Sequence, residues 1–281
     1  MREAATFAQR ARRHPSFMLG GALSLLLVLA ALLSLLWAPY PPADIDIPSK
    51  LQAPSAAHWL GTDSLGRDIA SQLLVGSQNS IVVGVIAVGI GLLAGMVLGC
   101  LAAAQRGWVE ELVMRAADFT FAFPALLSAI MLGAIYGPGL VTGIVAIGIF
   151  NIPVFARISR GAASAVWARE YVLAARAAGF GAWRITLDHV LPNIASVLIV
   201  QATISFATAI LAEAALSYLG LGTQPPQPSW GRMLNEAQTQ LFQAPMLAVY
   251  PGVTIALSVL GLNLMGDGLR DLLDPRLARK R

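Results

Sequence analysis

Lysine occurs only twice in this chain, at Lys50 and Lys280, histidine three times and cysteine once. A lone Cys100 forms no intrachain disulfide, so cysteine usage does not report a redox compartment. Neither lysine stands in a G-x-x-x-x-G-K-[ST] run, which removes the phosphate-cradling loop of nucleotide hydrolases. His14, His58 and His189 lie far apart, and no H-E-x-x-H, G-x-S-x-G or Cys/His cluster accompanies them. No residue reads as catalytic or metal-binding, and the histidines read as surface or loop positions. Charge is the deepest deficit. Charged residues make up 12% of the 281 and hydrophobic ones 57%, where a soluble domain carries ~25% and ~45–50%. Disorder, a collagen-like fibre and a disulfide scaffold are excluded, and what remains is a chain whose outer surface faces lipid.

The charge-free runs set out an all-α membrane architecture. The first, 17–38, has 22 residues and as a helix reaches ~33 Å, enough for a ~30 Å hydrocarbon core. It exceeds a signal-peptide core, and Trp37-Ala-Pro-Tyr-Pro-Pro is a poor cleavage site, so it reads as a retained signal anchor. A second run covers 69–105, most apolar over 80–104. The third, 119–156, is 38 residues long, ~57 Å as one helix and too much for one crossing. Gly137-Pro138-Gly139 divides it into helices three and four around a tight hairpin. A fifth helix is predicted over 193–220 and a sixth over 245–266. The chain thus divides into a tail (1–16), the anchor (17–38), a polar segment (39–75), a transmembrane core (76–267) containing a loop at 157–192, and a second tail (268–281).

Arginine orients these six spans. The first tail carries Arg2, Arg10, Arg12 and Arg13. The 157–192 loop carries Arg157, Arg160, Arg169, Arg176 and Arg184, and the last tail Arg270, Arg276, Arg279, Lys280 and Arg281. Segment 39–79 has Lys50 and Arg67 against four aspartates, and 221–244 has only Arg232. The positive-inside rule places both termini and the 157–192 loop in the cytoplasm and 39–75 outside. The net charge of +4 is then a topology signal, not a nucleic-acid footprint.

Within the spans, Gly91, Gly95 and Gly99 recur every four residues, as do Gly139 and Gly143. Such spacing lets helix backbones approach closely, for ordinary packing or for a bundle that slides. Glu213 is the one acidic residue well inside a predicted span, and a carboxylate there must face a cavity, a neighbouring helix or the interface. Two readings stand for it: a pathway or proton-relay group, or a structural one satisfied by local hydrogen bonds near the helix end.

The cytoplasmic loop is the most informative segment. Residues 169–178 are alanine-rich with high helix propensity. They end at Gly179, a natural left-handed cap. A second stretch leads to Pro192, which suits the start of a helix. Two short helices joined at a glycine, too polar to insert, project as a docking platform. Ala174-Ala175-Arg176-Ala177-Ala178-Gly179, with Leu191-Pro192 twelve and thirteen residues after Gly179, resembles the EAA loop of ABC-importer permeases. It departs from that pattern at Leu173 and His189. Further runs narrow the resemblance: His58-Trp-Leu-Gly-Thr-Asp-Ser-Leu-Gly-Arg-Asp68, Ala212-Glu-Ala-Ala-Leu-Ser-Tyr-Leu-Gly-Leu-Gly222, Pro225-Pro-Gln-Pro-Ser-Trp-Gly231 and Asn263-Leu-Met-Gly-Asp-Gly-Leu-Arg-Asp271 with Asp274-Pro275. Together they resemble the second permease subunit of the dipeptide/oligopeptide/nickel group.

That resemblance implies a type I ABC-importer permease fold in a bacterial inner membrane. Glu170, Ala174, Ala175, Arg176, Gly179 and Phe180 become candidates for coupling to an ATPase. It also implies a homologous second permease, one or two kinds of ABC ATPase subunit and a periplasmic solute-binding protein. ATP and magnesium would be bound by the ATPases, and no cofactor by this chain. Di- and oligopeptides are the expected cargo, with nickel chelates, glutathione and opines as alternatives. A stand-alone channel or secondary transporter would need its own coupling site, for which Glu213 is the only candidate.

Overall fold

The structure is a computed structural model that describes residues 7–273. Arg2 at one end, and Asp274-Pro275, Arg276, Arg279, Lys280 and Arg281 at the other, lie outside the described residues. Among the described residues the chain is helical, with one isolated β-bridge between Thr62 and Asp68 and no strand. In order the helices are α1 (Phe7–Arg12), α2 (Pro15–Leu36), α3 (Ile69–Gln105), α4 (Gly107–Ala122), α5 (Ala125–Tyr136), α6 (Leu140–Trp167), α7 (Glu170–Ala177), α8 (Ala182–Ile185), α9 (Leu191–Tyr218), α10 (Trp230–Ala237) and α11 (Met246–Leu273).

Five helical runs are long and apolar enough to cross a membrane: α2, α3, α6, the continuous run Ala182–Tyr218 and α11. The expected third helix is different. It starts at Gly107, inside a charged stretch, and is broken at Phe123-Pro124 into α4 and α5, bent by 82°. Proline lacks the amide that would continue the ladder, and its ring clashes with the preceding turn. Six crossings are reached only by counting this bent pair as one.

Helix ends also depart from the charge-free windows, for local reasons. Asp68 caps α3 by accepting the Ser71 amide at 2.8 Å, so the helix begins at Ile69 and position 76 lies inside it. α6 runs on to Trp167 because Arg160 meets Glu110 at 2.7 Å and Arg157 meets Asp118, both on α4. Charge ends the lipid-facing stretch there without ending the helix. Before Pro192 the backbone widens into a π-helical turn over Thr186–Val190, which gives the proline ring room while the helix continues. α11 extends to Leu273, past the expected boundary at 267.

The tightest packing follows the glycine stripe of α3. A β-carbon at Gly91, Gly95 or Gly99 would run into Asn151, Ile152 and Phe155, or Ala156 and Ser159, of α6. The two backbones therefore touch at three points spread over about two helical turns. Gly139 and Gly143 do not repeat this: nothing stands within 4 Å of a β-carbon at Gly139, and only Leu216 approaches one at Gly143, at 3.8 Å. Elsewhere α2 lies on α11, with Gly268 against Phe17 and Gly261 against Leu23. The main core sits among α3, α6 and α9, centred on Val83, Ala87, Ile147, Phe155 and Leu198. Following α2, α3 and α6 along their lengths puts residues 40–68 and α10 at one end of the bundle. The start of α2, the end of α11 and the α7–α8 hairpin lie at the other.

Candidate functional site

The α7–α8 hairpin is assembled from the residues that the alanine-rich run brings together. α7 carries Glu170 in its first turn and Arg176 in its last, matching the helix dipole at both ends. It stops in a complete Schellman motif. The Phe180 amide returns to the Ala175 carbonyl at 3.2 Å and the Gly179 amide to Arg176 at 3.0 Å, with Gly179 at φ +84°. A side chain at Gly179 would have open space but a disfavoured backbone.

Two residues of α7, Val172 and Ala175, point inward and are buried in the core with Trp167, Ala163, Ile185 and Val190. Of the two adjacent alanines expected to couple to an ATPase, Ala175 is thus not on the exposed face of the docking platform. Adjacent helical positions are ~100° apart, and Val172 and Ala175, three apart, share the inward face. Ala174 faces out; Ala175 is an anchor. Glu170, Ala174, Arg176, Gly179 and Phe180 are all exposed.

The exposed tip also contains residues that the sequence reading did not select. Tyr171 and Leu173 on α7 and Trp183 on α8 are exposed, the indole at 70%. The signal was available, since large apolar residues in a segment too polar to insert have no lipid to face. Arg184 lies 4.5 Å over the Phe180 ring and 3.3 Å from Asp188, and the Tyr171 and His189 rings stand 6.1 Å apart. The result is a small apolar knob, ringed by Arg169, Glu170, Arg176 and Arg184, on a buried aliphatic base. Such a surface can dock into a groove and pass a push to α6 and α9; it holds no group arranged for covalent chemistry.

The opposite end is a polar clamp. Asp63 accepts the Leu65 and Arg67 amides at 2.8 and 2.9 Å, Arg67 Nε at 2.6 Å and Gln72 Nε2 at 2.8 Å. Arg67 also reaches Glu236 of α10, which holds Arg232 through its Nε at 2.8 Å. Burial disfavours the Arg67 charge, yet Asp63 and Glu236 more than offset it and hold the guanidinium above its ordinary pKa. His58 Nδ1 lies 3.0 Å from Asp68, stacked against Tyr40. Trp230 is fully buried over Gly76 and donates to the Leu73 carbonyl at 2.9 Å. The 58–68 and 225–231 motifs thus lock two distant segments together.

Glu213 lies beneath that clamp, buried on α9. Its Oε1 accepts from Ser217 at 2.7 Å and Thr223 at 3.3 Å, and Ser217 Oγ in turn accepts the Thr223 amide at 2.9 Å. These bonds tie the end of α9 to the loop before α10. Oε2 has no partner among the described residues. The three histidines stay apart: His14 beside Asp271, His58 in the clamp, His189 in the hairpin.

Residues 91–279 match the model of the binding-protein-dependent transport system inner membrane component, and 5–54 that of the N-terminal TM domain of oligopeptide transport permease C. The chain is 45% identical to the di/tripeptide transport system permease protein DppC of Pseudomonas aeruginosa, covering 94% of this chain and 89% of that one. It is 42% identical to the glutathione transport system permease protein GsiD of Pectobacterium atrosepticum, over 96% and 90%. Among solved structures, the MetNI methionine ABC transporter in an inward-facing conformation matches with a TM-score of 0.59 at 19% identity, over 72% of this chain and 97% of that one. This likeness concerns the fold, which is that of an ABC-importer permease.

Proposed function

The chain belongs to the family of binding-protein-dependent transport system inner membrane components, and on that premise we propose that it forms one half of the translocation path of an ATP-driven importer of di- and oligopeptides. The observation that carries the coupling role is the α7–α8 knob, whose tip is exposed while Val172 and Ala175 root it in the core. A knob on a firm base transmits displacement; one on a flexible stalk would absorb it.

In this reading Glu170, Ala174, Arg176, Gly179 and Phe180, with Leu173 and Trp183, meet an ABC ATPase subunit in the cytoplasm. Ala175 supports them from behind. ATP and magnesium are bound and ATP is hydrolysed by that partner, while this chain is not an enzyme. A homologous second permease completes the path, and a periplasmic solute-binding protein delivers cargo to the end that carries residues 40–68 and α10. The arginine asymmetry supports that orientation, with both termini cytoplasmic. Peptide is favoured as cargo because relatives over 40% identical along most of the chain bear the names of di/tripeptide and glutathione permeases, and glutathione is itself a tripeptide.

The test is a deletion strain given di- and tripeptides as sole nitrogen source. Loss of growth, restored by the wild-type chain but not by Gly179→Asp at equal membrane abundance, is the expected result. Full growth of the Gly179→Asp strain would remove the hairpin from the coupling role.

A further inference from the structure

From the Gly137-Pro138-Gly139 turn, the twelve residues of α5 reach back ~18 Å, about half to two-thirds of a hydrocarbon core. At that depth the chain breaks. Pro124 has no amide hydrogen with which to continue α4. The carbonyls of residues 120–122 therefore receive no backbone donor among the described residues. Every residue from Phe121 to Leu127 is exposed, so among the described residues no other segment of this chain covers the break. Beside it, Arg157 of α6 reaches Asp118 and lies 4.4 Å over the Phe121 ring. The Arg157 and Asp118 side chains remain 45% and 65% exposed.

Three environments are available to this surface. Hydrocarbon offers no donor for free carbonyls and penalises the charged pair, so irregular backbone at membrane depth is confined to protein interiors and water-filled cavities. A dry interface with another chain would have to desolvate Asp118 and Arg157 together, a cost their attraction does not reliably return. Water satisfies carbonyls and charges alike.

We propose that the α4–α5 break is the part of this subunit that lines the aqueous translocation path, and that Asp118, the Phe121 ring and the carbonyls of 120–122 form a resting point for the ammonium end of a passing peptide. All three elements favour a cation: a carboxylate, the negative end of a helix dipole and the face of an aromatic ring. The Arg157 guanidinium lies there in the free chain, on Asp118 and the Phe121 ring, and an arriving ammonium would displace it from this half-exposed pair. The ammonium part of the inference rests on the peptide reading above; the aqueous part does not.

The test uses the assembled transporter in membrane vesicles, with buried Cys100 replaced by alanine. A single cysteine is introduced at Ala125, at Phe121, or at the exposed control Leu29 on α2. Membrane-impermeant thiosulfonates, cationic or anionic, are the probes. Cysteine at 125 and 121 should react about tenfold or more faster than at 29, as water contact against lipid contact requires. At 125 the cationic reagent should lead, Asp118→Asn should abolish that preference, and a transported dipeptide should slow the reaction. Reaction at 125 no faster than at 29 means the break is covered by lipid or protein and overturns the proposal. Fast, cation-selective reaction that no dipeptide slows would uphold the aqueous lining and defeat the peptide reading instead. Because Ala125 is exposed and small, its variant assembles even where Phe121→Cys does not.

Discussion

The two ends of this bundle are held by opposite chemistry. At one, Arg67 is buried between Asp63 and Glu236, and nearly every polar atom in the clamp has a partner at hydrogen-bond distance. At the other, α7 and α8 hang on Val172, Ala175, Ile185 and Val190 and leave their charges in water. A buried ion network tolerates little displacement, since each group depends on the position of the others. An aliphatic base with an exposed tip tolerates new neighbours at the tip. The first arrangement fits a part that keeps one shape, and the second fits a part that meets another molecule.

The sharpest way to break this comparison is to remove the centre of the clamp. Arg67→Ala leaves Asp63 buried without its cation and Glu236 with Arg232 alone, and breaking a buried pair in this way costs about 3–5 kcal/mol. The expected result is a severe fall in membrane abundance and in the thermal midpoint of the detergent-extracted protein. Near-normal stability would mean that the clamp is a wet surface cluster after all.

At the hairpin the same logic separates two adjacent alanines. Ala175→Glu forces a carboxylate into the core beside Val172 and Ile185 and should destabilise by several kcal/mol, of the order found for buried unpaired groups. Ala174→Glu points into water, so abundance and thermal midpoint should stay within ~0.5 kcal/mol of wild type, while peptide-stimulated ATPase activity falls. If both variants behave alike, in either direction, the inward–outward division of α7 is wrong. Gly179→Asp comes next: left-handed φ costs an L-residue ~1–2 kcal/mol, with no clash to add to it. Its loss of transport should therefore exceed its loss of stability.

How far these contrasts were legible beforehand depends on what each region answers to. The ends of α2 and α9 fell within about two residues of the expected ones because lipid forbids charge and the chain obeys. The broken α4–α5 pair escaped. A window opening at Phe119 hid a helix already under way from Gly107, and Pro124 sat unread inside an apolar run. The clamp escaped too, because four aspartates against two cations signal topology without showing that Asp63, Arg67 and Glu236 converge across 169 residues of chain. In α7 the hydrophobic pattern is nearly silent, since alanine suits either face. Only the β-branched Val172 hinted which side turns inward, and Ala175 follows it by one helical turn.

The smallest expected effect comes from making one conservative change at both ends. Arg67→Lys keeps the charge in the clamp but loses the planar fork that serves Asp63 and Glu236 together, so a measurable drop in thermal midpoint is expected there. Arg184→Lys makes the same exchange in the hairpin. Arg184 is stacked on Phe180 and 3.3 Å from Asp188, with both charged side chains more than half exposed. An exposed ion pair of this kind contributes ~0–1 kcal/mol after screening by water and salt, and an exposed cation–π contact ~0.5–1 kcal/mol, part of which lysine retains. The expected shift is therefore under ~0.5 kcal/mol and disappears as salt is raised, with transport close to wild type. Thermal unfolding of the two lysine variants side by side, at low and high salt, is the measurement. A larger shift for Arg184→Lys than for Arg67→Lys would show that the hairpin, too, is held by charge, and the contrast between the two ends would collapse.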